Sequence, residues 1–361
     1  MTTSSSTSRS ISEDSGELWT FEGAWEVAPG LHRIPLPLPM DGLRAVNVYV
    51  LEHDRGLTLI DGGWAIPEAR EVFERSLRLL DAGFGDITSF LVTHMHRDHY
   101  SMARVLGTEL GIHVSMGLEE KPGIDALQQF DATGPAPFVV DLVACGAPEV
   151  AEQWAKHSTA PDQASAWWSY PDTWLGEGPV DAGARELRAV HTPGHTPGHY
   201  VFVDDGARTL FAGDHVLPTI TPSIGFIFPP PRDPLGDFMR SLAKVRSLPD
   251  LQVLPAHGPI APSSHARVDE LLEHHEHRLD QCLEAIGSGE LTVAQVARQL
   301  TWTRHERDLT ELDHFNKGMA ILETHAHLEV LVARTAIVES VADDGLMTYR
   351  TTGKLVSQEA Q

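Results

Sequence analysis

The stretch THMHRDHYSMA, residues 93–103, sets His94, His96, Asp98 and His99 within six positions. Imidazole is a common metal ligand and proton carrier, so this density points to a metal or catalytic site rather than to packing. The flanking sequence fixes the local structure. ITSFLVT, residues 87–93, is a short apolar run of the kind that forms a buried strand, and the histidines follow at its C-terminal end. Beyond them ARVLGTEL reads as helix and GIHVSM as strand. Upstream, AVNVYVLE and GLTLIDGG are apolar runs separated by HDRG, a hairpin signal. PEAREVFERSLRLLDAG is an amphipathic helix with Pro67 in its first turn and Gly83 near its end. Strands alternating with helices predict an α/β layered domain.

Other donors follow predicted strands downstream. ELRAVHT, GHYVFVDD and ARTLFAGD read as strands, with Asp204, Asp205 and Gly206 turning between the last two. DPLGDFMRSLAKVRSL reads as helix and LQVLPAHG as a strand ending in a loop. HTPGHTPGH supplies His191, His195 and His199, LFAGDHVL supplies Asp214, and LPAHGP supplies His257. Loops at one edge of a layered fold converge on one point. The candidates are then His94, His96, Asp98, His99, His195, Asp214 and His257. They exceed the three or four ligands of one tetrahedral zinc and suit two divalent metal ions. Nitrogen and carboxylate donors without thiolate fit Zn, with Fe or Mn as alternatives. Thr192-Pro193-Gly194 and Gly213 would turn the backbone so that the donors face inward. Asp61, in LIDGG, ends a strand of the same sheet and is placed to accept a hydrogen bond from a ligand histidine.

At 361 residues the chain exceeds what a single core usually serves, so two domains are expected. Its 51 acidic and 27 basic residues leave a formal charge of −24, which repels a phosphate backbone and favours cationic metal. Nucleic acid is therefore the disfavoured partner. No run approaches the roughly 18 apolar residues of a membrane helix. Residues 1–17 lack the apolar region of a secretory signal and are expected to form a disordered tail. The two cysteines, Cys145 and Cys282, exclude a disulfide scaffold and a thiolate cage and fit a reducing cytoplasm.

Residues 117–180 break the strand–helix rhythm and hold Trp154, Trp167, Trp168 and Trp174. They are expected to be a mostly helical, lid-like insertion, its tryptophans either packing onto the core or walling an apolar substrate. From 263 a long helix leads to a C-terminal unit in which LTVAQVARQL and DHFNKGMAILETHAHLEVLVA look helical. AIVESVADDGLMTYRTT closes it as a hairpin turning at Asp344-Gly345. Helices followed by such a wing predict a winged-helix-like domain over 263–361, after a catalytic domain over 18–262.

Taken together these motifs resemble the metallo-β-lactamase superfamily over roughly residues 24–262. THMHRDH is similar to its H-x-H-x-D-H loop, TPGHTPGH to its third metal motif, LFAGD to its bridging aspartate and LPAHGP to its final histidine. The resemblance implies a four-layer αβ/βα sandwich with two metals at one edge. It assigns His94, His96 and His195 to the first metal, and Asp98, His99 and His257 to the second, with Asp214 bridging. The C-terminal helices and wing look like the extension of the lactamase-beta-like subfamily, which includes endoribonucleases and acyl-thioester hydrolases. Ser101 stands where the superfamily usually has glycine.

Such a site implies direct attack by a water that two bound ions acidify, with Asp98 orienting it or carrying a proton to the leaving group. The favoured substrate is a small molecule with an acyl bond: a thioester, ester or lactone. The tryptophans and FIFPPPRDP (226–234) would wall an apolar acyl pocket, with Arg232 meeting an anionic group. The alternatives are a phosphodiesterase or endoribonuclease, a mononuclear iron oxygenase, and a scaffold whose C-terminal module binds protein or forms a homodimer. His32, His53, His113, His157, His305 and His314 read as packed or surface residues. His274, His275 and His277 read as part of a solvated charged face. His191 and His199 read as structural neighbours of a ligand. Tyr100 is either core or a hydroxyl that polarises a substrate carbonyl.

Overall fold

Alternating apolar residues build a first sheet whose pairing begins antiparallel: β1 (Trp25–Ala28), β2 (Leu31–Leu38), β3 (Arg44–His53) and β4 (Gly56–Ile60). It turns parallel through β5 (Ile87–Val92), β6 (His113–Gly117) and β7 (Thr173–Leu175). Parallel neighbours need a crossover. Helix α1 (Pro67–Arg78) supplies it between β4 and β5, and α2 (Arg97–Leu110) between β5 and β6. A second sheet runs in the order β12-β11-β10-β9-β8, formed by β8 (Gly178–Asp181), β9 (Glu186–His191), β10 (Tyr200–Asp204), β11 (Thr209–Gly213) and β12 (Gln252–Pro255). The computed structural model describes residues 16–39, 42–129, 138–157, 167–227, 229–303 and 306–352.

Two apolar cores follow from the pleat. Ile34, Leu36, Val46, Val48 and Val50 face one way, packing with Phe73 and Leu77 of α1 and Ala103 and Leu106 of α2. Leu31, Tyr49, Leu51, Ile60 and Leu91 face the other way, against Leu187, Phe202, Phe211 and Leu254 of the second sheet. Each fully buried side chain of this size contributes about 1.5–3 kcal/mol. β4, β5, β9, β11 and β12 end at one edge, because β4 and β5 run parallel, as do β11 and β12, while β10 reverses between β9 and β11.

The described residues divide into two compact units, those within 1–128, 162–222 and 241–269, and those within 129–161, 223–240 and 270–361. Both sheets lie in the first. The second holds α4 (Val139–Ala144) and α5 (Pro148–His157), which follow α3 (Lys121–Gln129) in the chain. Helices α6 (Pro234–Arg246) and α7 (Ser264–Ile286) each run across a unit boundary. The second unit continues with β13 (Glu290–Thr292), α8 (Val293–Ala297), β14 (Thr301–Trp302), β15 (Arg307–Asp308), α9 (His314–Ala333), β16 (Ile337–Val341) and β17 (Met347–Thr351). Strands β13, β17 and β16 form an antiparallel sheet in that order.

Several expectations change. Among the described residues of 117–180, helices run up to His157 and two short strands follow them. Thr173–Leu175 adds a parallel strand beside β6, and Gly178–Asp181 an antiparallel one beside β9. These runs are too short to show a period. The helix expected over 291–300 is confined to Val293–Ala297. Leu291 and Thr292 are drawn into pairing with Tyr349 and Thr348, and Thr292 then caps the helix in a reciprocal box with Gln295. His275 is not on a solvated face: it is fully buried, with its Nδ1 3.2 Å from Nε2 of His327. Of the expected tail, residues 1–15 lie outside the described residues, and Gly16–Thr20 form a short 3₁₀ turn. His305 also lies outside them.

Of the tryptophans, Trp168 and Trp174 pack against the first core. Trp154 belongs to the second unit, where it stacks on Phe315 at 5.1 Å and lies 5.8 Å from Phe226. Gly318 makes room for that ring, since a Cβ there would overlap Trp154. Gly318→Ala is expected to lower stability by about 1–3 kcal/mol through overpacking. Denaturant unfolding against the wild type measures it, and an unchanged midpoint would show that the ring has slack.

Candidate metal centre

The strand ends deliver all seven sequence-predicted donors to one place. His94, His96, His195 and Asp214 form one group and Asp98, His99 and His257 a second, the donor atoms of each lying within 4.8 Å of one another. His94 follows β5, Asp98 and His99 open α2, and His195 follows β9. Asp214 follows β11, and His257 follows β12. Asp214 faces both groups. Its Oδ2 is 3.4 Å from His195 Nε2, and its Oδ1 is 3.3 Å from His257 Nε2 and 3.7 Å from His99 Nε2. Gly213, at φ 51°, gives the chain the turn this requires, and a Cβ there would press on His199 Nε2.

A frame of fixed acceptors aims the rings. Asp61 Oδ2 accepts from His99 Nδ1 at 2.9 Å, and the Ala45 carbonyl accepts from His257 Nδ1 at 2.8 Å. Thr93 donates its hydroxyl to Asp61, so its oxygen is free to accept from His94 Nδ1 at 3.1 Å. Each of these rings thereby carries its proton on Nδ1 and presents the Nε2 lone pair inward. Asp61 itself sits at φ 64°, an uncommon backbone region for a non-glycine residue. It is held there by its N–H to Leu91 and by the Thr93 N–H donating to its Oδ1 at 2.8 Å. His199 donates Nδ1–H to Thr192 and accepts the Asp214 N–H at Nε2, so it sets the backbone of the shared carboxylate.

The inward atoms lack partners. His94 Nε2, His99 Nε2, His257 Nε2 and Asp214 Oδ1 are buried without a hydrogen bond. The carboxylate–imidazole approaches of 3.3–3.8 Å between them are ion-pair distances without hydrogen-bond geometry. Each orphaned buried polar group costs about 1–3 kcal/mol, and divalent cations bound at the two groups would satisfy them. Imidazole and carboxylate without thiolate suit Zn, Fe or Mn, so the residues present fit bound metal.

The electrostatics agree with that fit. Burial, helped by neighbouring imidazoles, holds His94 well below its usual value and His96 at about 3, so both are neutral donors. Burial opposes charge on His99 and His257 as well, but the surrounding carboxylates outweigh it and raise His257 to about 10. Burial likewise opposes ionisation of Asp98 and Asp214, yet the adjacent imidazoles hold both below the usual carboxylate range. The carboxylates of the second group thus favour positive charge at its centre, which a bound cation would supply in place of ring protons.

Sequence reading missed Thr93 and the Ala45 carbonyl, whose roles depend on register rather than residue type. Ser101 keeps the helix start in place: its hydroxyl donates to the Arg97 carbonyl and accepts the Ala65 N–H at 2.8 Å. Tyr100 donates to the Ser169 carbonyl at 2.6 Å and is a packing residue, not a group aimed at substrate. Arg97, between two donors, stacks 4.3 Å over Trp64. Arg232 is exposed and belongs to the second unit.

Comparison with known proteins accords with this geometry. A family profile described as metallo-beta-lactamase superfamily matches residues 41–257. The chain is 26% identical over 309 residues to a probable metallo-hydrolase, YqjP, of Bacillus subtilis, spanning 84% of this chain and 92% of that protein. It is 25% identical over 287 residues to an atrochrysone carboxyl ACP thioesterase of Aspergillus fumigatus, spanning 76% of this chain and 54% of that one. Among solved structures, a metallo-beta-lactamase family protein from Thermus thermophilus superposes with a TM-score of 0.72 at 27% identity, over 90% of this chain and all of that one. A beta-lactamase domain protein from Burkholderia ambifaria gives 0.71 at 26%, over 91% and 93%.

Metal binding only to the native state stabilises it, by about 2.7 kcal/mol at a free concentration of 100 times Kd. Zinc added to chelator-stripped protein is therefore expected to raise the unfolding temperature by several degrees. No rise would mean the orphaned donors do not hold zinc. Asp61→Ala is expected to weaken zinc binding about 10–100-fold in chelator competition. Wild-type affinity in that variant would remove Asp61 from the frame.

Proposed function

The chain belongs to the metallo-β-lactamase superfamily, and from that premise we propose that it is a dinuclear metal-dependent hydrolase of small acyl substrates, a thioester first among them. The observation that carries the dinuclear reading is Asp214, with one oxygen toward each donor group. In this reading His94, His96 and His195 would hold one ion and Asp98, His99 and His257 the other, with Asp214 serving both. Zinc suits these donors best, with iron or manganese as alternatives. Bound there, the ions would acidify a water and polarise the acyl carbonyl.

The protein's own groups do the rest. Asp98 is ionised at neutral pH and only partly buried, so it can accept a proton while facing a substrate. It orients the attacking water and takes its proton. The carbon–oxygen bond forms, the carbon–sulfur bond breaks, and the proton passes to the leaving thiolate. Asp61, Thr93, Ala45 and His199 keep the donors still during these steps, so little reorganisation is needed.

The thioester preference rests on likeness to the fungal thioesterase, whose name gives an acyl-carrier substrate, and on the charge of −24, which disfavours a polyanion. The buried, unpaired Cys145 and Cys282 fit a cytoplasmic setting. Among the described residues no helix is long and apolar enough to cross a membrane. The helices and three-stranded sheet of the second unit favour a winged-helix-like reading, which keeps a phosphodiesterase as the alternative.

The test is thiol release from short, medium and long acyl-CoA thioesters by zinc-loaded protein beside His94→Ala. Release by the wild type, reduced at least about 1,000-fold in the variant, is expected. Hydrolysis of a phosphodiester with no thiol release would replace the acyl reading by the alternative.

A further inference from the structure

One carboxylate near the site has no part in the scheme above. Glu120 ends a 3₁₀ turn, Leu118–Glu120, that follows β6 at the same sheet edge, and it is fully buried. Its Oε1 accepts two hydrogen bonds from different ligand loops. One comes from the backbone N–H of Met95, between His94 and His96, at 3.2 Å. The other comes from the hydroxyl of Thr196, next to His195. The first loop leaves the seven-stranded sheet and the second leaves the five-stranded sheet. Close approach is built in on both sides. A Cβ at Gly198 would collide with the backbone and side chain of Glu120, and one at Gly117 with the Gly198 carbonyl.

We propose that Glu120 is a positioning residue that clasps the His94–His96 loop to the His195 loop and so sets the geometry of one of the two metal positions. The inference rests on the dinuclear reading above. The clasp is selective. Both donors to Glu120 are neighbours of the first group, His94, His96 and His195. In the second group Asp61 fixes His99 and the Ala45 carbonyl fixes His257. The two buried carboxylates thus divide the frame, with Asp61 reaching His99 directly and His94 through Thr93, and Glu120 gripping the loops that bear the other two imidazoles. Bringing His96 Nδ1 and His195 Nε2 to 3.0 Å, across two sheets, needs such a tie.

The test measures stepwise binding of Zn²⁺ and Co²⁺ to the full chain by chelator competition, with the visible spectrum of bound Co²⁺ as a reporter of ligand geometry. Glu120→Ala is expected to weaken one of the two binding steps about 10–100-fold, to leave the other within about 3-fold, and to change the Co²⁺ band at the weakened position. Glu120→Gln keeps an acceptor in the place of Oε1 and is expected to retain both affinities within about 3-fold, a rescue that loss of packing alone would not give. Thr196→Val, nearly isosteric, removes one donor and is expected to weaken the same step as Glu120→Ala by a smaller factor of about 3–10. It decides the matter if Glu120→Ala does not fold. Wild-type binding and spectra in Glu120→Ala and Thr196→Val would overturn the clasp while leaving the metal reading intact. So would equal loss at both steps, or a Glu120→Gln variant as weak as Glu120→Ala. A wild type that binds no ion overturns both.

Discussion

Four buried lone pairs without partners, on His94, His99, His257 and Asp214, are the constraint around which the first unit is arranged. A fold would ordinarily turn such atoms to water or pair them, since each costs about 1–3 kcal/mol when left alone. Here the opposite nitrogens of the three rings are tied to Thr93, Asp61 and the Ala45 carbonyl, so the rings cannot turn away. Two sheets ending at one edge bring the rings together, and the costs of that arrangement are visible nearby. They include the left-handed backbone of Asp61, the left-handed turn at Gly213, and a neutral His199 that serves only to hold the backbone of Asp214.

The frame is hierarchical. The pleat decides which side chains face the inter-sheet core, and strand direction decides which ends share an edge. The residue following each strand then becomes a donor or a support. This explains why the supports are heterogeneous. A carboxylate, a hydroxyl, a main-chain carbonyl and an imidazole all do the same work, because what matters is an acceptor or donor at a given register. The two buried carboxylates differ in reach: Asp61 acts within the first sheet, whereas Glu120 spans both.

The donors were legible in the sequence because they cluster at strand ends marked by glycine and proline, where chemistry and turn signals coincide. Asp61 was legible for the same reason. Glu120 was not: a single acidic residue after a strand has no distinguishing neighbour, and its role exists only once Thr196 arrives from another sheet. β7 and β8 are too short to carry a period, and Thr292 divides a helical pattern because its flank pairs with β17. The charged neighbours of His275 suggest an exposed face, but the helix turns it inward onto His327, a partner 52 residues away that no local pattern reveals.

The most direct measurement is the metal content of the purified chain after zinc reconstitution and removal of free ion, by elemental analysis against protein concentration, with Asp214→Ser alongside. The account predicts two zinc ions per wild-type chain and fewer in the variant, because Asp214 serves both positions. One ion or none in the wild type, or two retained in Asp214→Ser, would contradict it.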